Sequence, residues 1–293
     1  MSRVAPALLA LLALLAPSAA SAYCRMTTSQ TPPTDEQPCP DDGVPLAWTR
    51  PCIGVVLDER GSKDLDFSVL EPAVRRSFDR WTGVECDGVS PGFQVRLEPE
   101  RARCDQAYFD YRGENANVIT FVDDFEELGY DPTAFAVTIV WHSTDSGEIF
   151  DADILVNERF SPFSICPTAG CLGRLDIDLE NVLTHEIGHF FGLAHSEEPL
   201  ATMYASAPRG EIIKRTLDTD DVLGFCEAYP EPLTKACDFT PHGGLGLSCG
   251  DGPSPGGRDG CGCQAAPVEH AFPVALSLLF LALVSRLRAR RRA

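Results

Sequence analysis

Three of the six histidines in this 293-residue chain fall inside one stretch, Thr184-His185-Glu186-Ile187-Gly188-His189-Phe190-Phe191-Gly192-Leu193-Ala194-His195-Ser196. Leu179, Val182, Leu183, Ile187 and Phe190 recur at helical intervals, with Asp178 placed to cap the helix and Glu180 in its first turn. The spacing predicts an amphipathic helix on which His185 and His189 lie one turn apart and face the same way. Gly192 is free to take the left-handed backbone that ends a helix, which turns the chain back and lets His195 approach the same point. Three neutral imidazoles leave a tetrahedral zinc one position open to water.

That open position is where chemistry is expected, because zinc lowers the pKa of bound water to about 7 and polarises a carbonyl oxygen. Glu186 adjoins the first ligand, offset around the helix, and is the candidate general base: it would take the water's proton and deliver it to a leaving amine. The competing reading is a surface helix whose histidines are merely solvated. A bare His-Glu-x-x-His would leave that open, but Gly192, His195 and the later Met203 all agree with a metal site.

His185-Glu186-x-x-His189-x-x-Gly192-x-x-His195 with Met203 downstream resembles the metzincin zinc endopeptidases. Ser196 directly after the third histidine, followed by Ala201-Thr202-Met203-Tyr204, is similar to their matrixin branch. The resemblance implies an α+β fold: a twisted five-stranded mixed sheet, three helices and a Met-turn in which Met203 lies under the metal without ligating it. It also implies that Tyr204 shapes the substrate pocket, and that an edge strand, here Phe135-Ala136-Val137-Thr138, pairs with an extended peptide. Two departures stand out. Only His142 is available for the second, structural zinc that matrixins commonly carry, so a single catalytic zinc is expected. Ala205 and Ala207 stand where bulkier residues usually line the pocket, which leaves the substrate preference open.

The remainder sorts by composition. Residues 1–22 read as a secretory signal: Arg3, a Leu/Ala run and the small-residue site Ala20-Ser21-Ala22, with an uncleaved anchor as the alternative. Residues 23–45 are rich in Pro, Thr and Asp and read as a disulfide-stapled leader. The domain is expected over 46–230. It would contain strands at Trp48–Leu57, Phe93–Leu97, Asn117–Val122, Phe135–Trp141 and Ile149–Val156, a helix with Leu70, Val74, Phe78 and Trp81 on one face and Pro72 in its first turn, and a last helix capped by Asp218. Residues 231–260 read as a Gly/Pro-rich linker. In the tail, 261–293, Cys261 and Cys263 precede an apolar run and a terminal arginine cluster, which resembles the short myxobacterial C-terminal sorting signals and implies processing near the cysteines.

Cysteine count and charge bound the partners. Ten of the twelve cysteines precede the tail, an even set that in an exported chain argues for five disulfides, with Cys166–Cys171 and Cys86–Cys104 as the local pairs. A net charge of −19 repels nucleic acid. Asp123, Asp124, Glu126, Glu127, Asp131, Asp151 and Asp153 are candidate calcium ligands, with a solvated acidic surface as the simpler reading. The expectation is an exported, monomeric, surface-anchored zinc endopeptidase acting on protein or peptide substrates, with membrane contact through the tail. The alternative is a metal-containing binding or adhesion module without turnover, in which Glu186 would be dispensable.

Overall fold

A strand in the middle of a parallel sheet has both faces covered, so it reads as a continuous apolar run, and Cys52-Ile-Gly-Val-Val-Leu-Asp58 is such a run. In the computed structural model, which describes residues 22–29, 39, 42–160, 162–171 and 176–250 with the short strands Cys263–Gln264 and Ala266–Pro267, it is β1, buried along its whole length. β2 (Gln94–Ala102) and β3 (Asn117–Val122) flank it, both parallel. β5 (Ile149–Asn157) is parallel to β3, and β4 (Ala136–His142) returns antiparallel on β5. The sheet order is β2-β1-β3-β5-β4, the expected five-stranded mixed sheet; the two-residue β6 (Cys263–Gln264) adds to the outer edge of β4.

Local residues explain the boundaries. β1 begins after Pro51, four residues later than expected, because Trp48 is diverted: its indole nitrogen donates to the Phe190 carbonyl at 2.8 Å. β2 carries Pro99, tolerable only on an edge, and its register against β1 slips there, Val55 facing Leu97 but Leu57 facing Arg101. The β4–β5 hairpin closes through Ser143 and Gly147, the latter at φ +70°.

Three α-helices are present among the described residues. α1 (Phe67–Thr82) starts a turn earlier than expected, which puts Pro72 in its second turn. It buries Leu70, Val74, Phe78 and Trp81 against α2 (Leu179–Phe190), and α3 (Thr219–Ala228) follows the site. Each of these fully buried large apolar side chains stabilises the fold by about 1.5–3 kcal/mol. Ala136, Val140, Ala152 and Ile154 face this helical layer, whereas Val137, Ile139, Trp141 and Leu155 face a second core built on Phe109 and Phe125.

Three expectations need correction. Cys86 pairs with Cys226 and Cys104 with Cys249; only Cys166–Cys171 of the two local pairs forms, and Cys24–Cys39 and Cys52–Cys237 complete the five. Cys86 follows α1, which brings it beside α3, while Cys104 follows β2 next to the returning chain. Residues 231–250 are therefore no free linker: Arg103 N donates to Leu247 O and Asn115 N to Gly244 O, and Leu247 packs on Val56, Ala102 and Val118. His242 packs its ring, tilted, near Phe109 and Phe150 as part of this strap. The leader, too, is integral, with Cys24 and Met26 in the main core. The signal segment 1–21, residues 251–262 and the apolar run and arginines of the tail lie outside the described residues. Among the described residues no helix is long and apolar enough to cross a membrane.

Candidate active site

A helix needs an acceptor for its first free amides, and Asp178 supplies it, accepting Asn181 N at 2.7 Å as the N-cap of α2. The same carboxylate accepts Cys166 N at 2.8 Å and Nε of Arg215 at 2.7 Å. One side chain thus joins the disulfide loop and the 3-10 turn Ile213–Arg215 to the start of the helix.

The helix ends as its glycine predicts. Gly192, at φ +86°, donates to His189 O at 2.8 Å, and Leu193 N reaches back to Gly188 O at 3.0 Å, the paired bonds of a Schellman turn. A Cβ on Gly192 would stand 2.5 Å from the Leu46 carbonyl oxygen, so the close approach also requires glycine. The leader then pins the outgoing turn: Met26 N donates to Gly192 O and Ala194 N to Cys24 O, both at 2.9 Å. This places His195.

The ligand nitrogens of His185, His189 and His195 lie within 4.8 Å of one another, the one such cluster found among the described residues. Two imidazoles are oriented from behind: His185 Nδ1 lies 2.6 Å from Thr202 O and His189 Nδ1 2.8 Å from Leu193 O. A carbonyl can only accept, so each Nδ1 carries the proton and each Nε2 presents its lone pair. All three Nε2 atoms are buried without a hydrogen-bond partner. Burial pushes the His185 pKa well below its usual value, that of His189 to about 4 and that of His195 to about 3, with the neighbouring imidazoles adding to His185 and His195. Three neutral, converging, unsatisfied nitrogens are a fit for zinc.

Around this triad the other expected residues are distributed unevenly. Glu186 is fully buried, its carboxyl pushed up to about 8 by burial; Oε2 accepts Thr138 Oγ1 at 2.7 Å, and Oε1 has no partner. Met203 lies directly beneath α2, for a Cβ on Gly188 would come within 2.1 Å of its Sδ. Tyr204 is half-buried, with the Lys214 ammonium 5.4 Å from its ring centre. Phe135 precedes β4, 5.9 Å from the Arg209 guanidinium, and Ala136 and Val137 are buried in β4. The Thr138 side chain turns inward to Glu186. Of the calcium candidates, Asp153 accepts Tyr108 N and Val118 N, Asp123 pairs with Lys63, and Asp151 is buried with neither oxygen hydrogen-bonded. His142 ends β4 and is no part of the triad.

Sequence reasoning missed the supports. Asp221 accepts Thr202 N at 2.7 Å and Met203 N at 2.9 Å, and Asp220 accepts Ser196 Oγ at 2.5 Å and Tyr23 N at 3.1 Å. The acidic pair at the start of α3 was visible, but its partners are distant in sequence.

Residues 105–230 match the Matrixin family. The chain is 49% identical over 65 residues to Metalloendoproteinase 1-MMP of Arabidopsis thaliana, a match covering 22% of this chain and 18% of that protein. It is 32% identical over 119 residues to Karilysin of Tannerella forsythia, covering 36% and 25%, and 46% identical over 52 residues to Metalloendoproteinase 1 of Glycine max, covering 18% and 17%. The chain thus spans at most a quarter of the length of these relatives. The domain is matrixin-like in sequence and in its α+β fold.

Proposed function

We propose that this chain is a zinc-dependent endopeptidase that hydrolyses peptide bonds in an extended protein or peptide substrate. The observation that carries the reading is the convergence of three buried, partnerless Nε2 atoms beside a buried carboxylate with one free oxygen. His185, His189 and His195 would hold the metal, which when bound supplies Lewis acidity, lowering the pKa of water to about 7 and polarising the scissile carbonyl. Glu186 Oε1 takes the proton of the attacking water and returns it to the leaving nitrogen. The outer edge of β4 pairs antiparallel with Cys263–Gln264 at Val137 and Thr138, and a substrate strand would take that segment's place. Lys214 and Tyr204 stand on the Met-turn side, where they bear on side-chain preference.

Export is supported by the five disulfides, and the signal-like segment 1–22 and the tail complete the reading: an enzyme released past a membrane and held outside it by its C-terminal end. The deciding experiment is metal analysis beside a peptide-library digest. Glu186→Ala should keep zinc and lose hydrolysis by orders of magnitude, whereas His189→Ala should lose both. Wild-type turnover in Glu186→Ala would exclude the mechanism.

A further inference from the structure

We infer that Thr138 is the positioning residue for the base, a role resting on the endopeptidase reading but carried by its own geometry. Along β4 the side chains alternate, and Thr138 shares the helical face with Ala136 and Val140, so its hydroxyl points at α2 and away from any substrate lying on the strand edge. It is 0% exposed. The Oγ1 atom lies 2.7 Å from Glu186 Oε2 and 3.1 Å from the Glu186 carbonyl oxygen. A hydroxyl has one proton to give, and the shorter contact, to the side-chain oxygen, takes it.

The consequence is an asymmetric carboxylate. Oε2 is tethered to the sheet, and Oε1 is buried with no partner and is the oxygen left for the reacting water. A glutamate side chain loses considerable rotamer freedom on being fixed, and here a stiff β-branched residue in a hydrogen-bonded strand supplies a donor whose own χ1 is already restricted. Thr138 also joins two functions. Its backbone belongs to the edge where an added strand pairs, shown by the Thr138–Cys263 partnership, while its side chain holds the base. A peptide settling on that edge therefore bears on the strand that orients the proton acceptor.

The test uses the zinc-loaded chain with Thr138→Val, which keeps the shape and removes the donor, and Thr138→Ser, which keeps the donor. Losing a hydrogen bond to a charged group should lower kcat of Thr138→Val by about 10- to 100-fold with KM within about twofold, and Thr138→Ser should recover most of it. Zinc content should be unchanged in both. In the crystal structure of Thr138→Val the Glu186 carboxylate should leave its present rotamer. An unaltered kcat, a loss borne by KM, or a serine variant as poor as the valine variant would overturn the assignment. Should the wild-type protein hydrolyse no peptide, the endopeptidase reading fails by itself; the rotamer of Glu186 in Thr138→Val still decides the role of Thr138, an unmoved carboxylate refuting it.

Discussion

The carboxylate of Asp221 accepts the amide of Met203 at 2.9 Å across eighteen residues of chain, and its other oxygen accepts Thr202 N at 2.7 Å. The Met-turn is thus hung from the first turn of α3. Because the Thr202 carbonyl in turn orients His185, the acid reaches the histidine triad through one peptide unit. Removing it strands buried amides, each costing about 1–3 kcal/mol. Asp221→Ala should lose about 3 kcal/mol or more in urea unfolding and bind zinc more weakly. A loss below about 1 kcal/mol with full zinc occupancy would show that the turn holds itself.

A second expectation concerns pH. Burial raises the Glu186 carboxyl from 4.5 to about 8 in the metal-free fold, against the downward pull of the Thr138 bond. The folded state therefore holds a proton that the unfolded state releases, so this group's contribution is fully present below about pH 4.5 and is lost as pH rises toward 8. Glu186→Gln has no such titration. In chelator, its stability should exceed that of wild type by about 3 kcal/mol at pH 7, and by little at pH 5. Zinc stabilises the ionised carboxylate and should narrow the gap. Parallel pH profiles of the two urea midpoints would contradict the argument.

The site was legible where one local rule sufficed. Helical periodicity places His185 and His189 on one face, Gly192 ends the helix, and the β4–β5 hairpin follows from two apolar runs joined by turn residues at Ser143 to Gly147. Elements that act through main-chain atoms were not. Met26 and Cys24 hold the His195 turn with a backbone amide and a carbonyl, which no side-chain pattern announces. Cys86 was set with Cys104 because they are near in sequence, but its partner Cys226 lies 140 residues away, and only the packing of α1 on the rest of the core brings them together. Thr138 reads only as part of a peptide-pairing edge strand, and nothing in its own stretch shows that Glu186, 48 residues on, meets its side chain.

Gly188 offers a prediction in which propensity and packing disagree. Alanine in a helix interior is favoured over glycine by about 1 kcal/mol. Here the added methyl would stand 2.1 Å from Met203 Sδ and 2.8 Å from Trp81 Cζ2, both in a close-packed layer. Gly188→Ala should nevertheless be destabilised by about 2 kcal/mol or more, since overpacking costs of that order. Met203→Ala in the same background should recover part of the loss. A stabilised single variant would mean that the methionine moves freely.

The last prediction separates the strap from the chemistry. Residues 231–250 are tied to the sheet by Cys52–Cys237 and Cys104–Cys249, whose separations of 185 and 145 residues close long loops. Both bonds lie on the side of β1 and β2, away from the histidine triad carried by α2 and the turn after it. All ten cysteines before residue 250 are paired, so thiol titration of the unfolded, unreduced region should find none free. Replacing Cys104 and Cys249 together by serine should cost about 2–5 kcal/mol, the usual range for a native disulfide. It should also expose Arg103 and the stretch around Leu247 to limited proteolysis, because the ladder from Arg103 to Ser248 loses its covalent stop. Peptide hydrolysis at a temperature where the variant stays folded should be unchanged within about twofold. If kcat falls with the strap while zinc stays bound, the sheet face under the strap is coupled to the site through β1 and β3, and the strap is part of the catalytic framework.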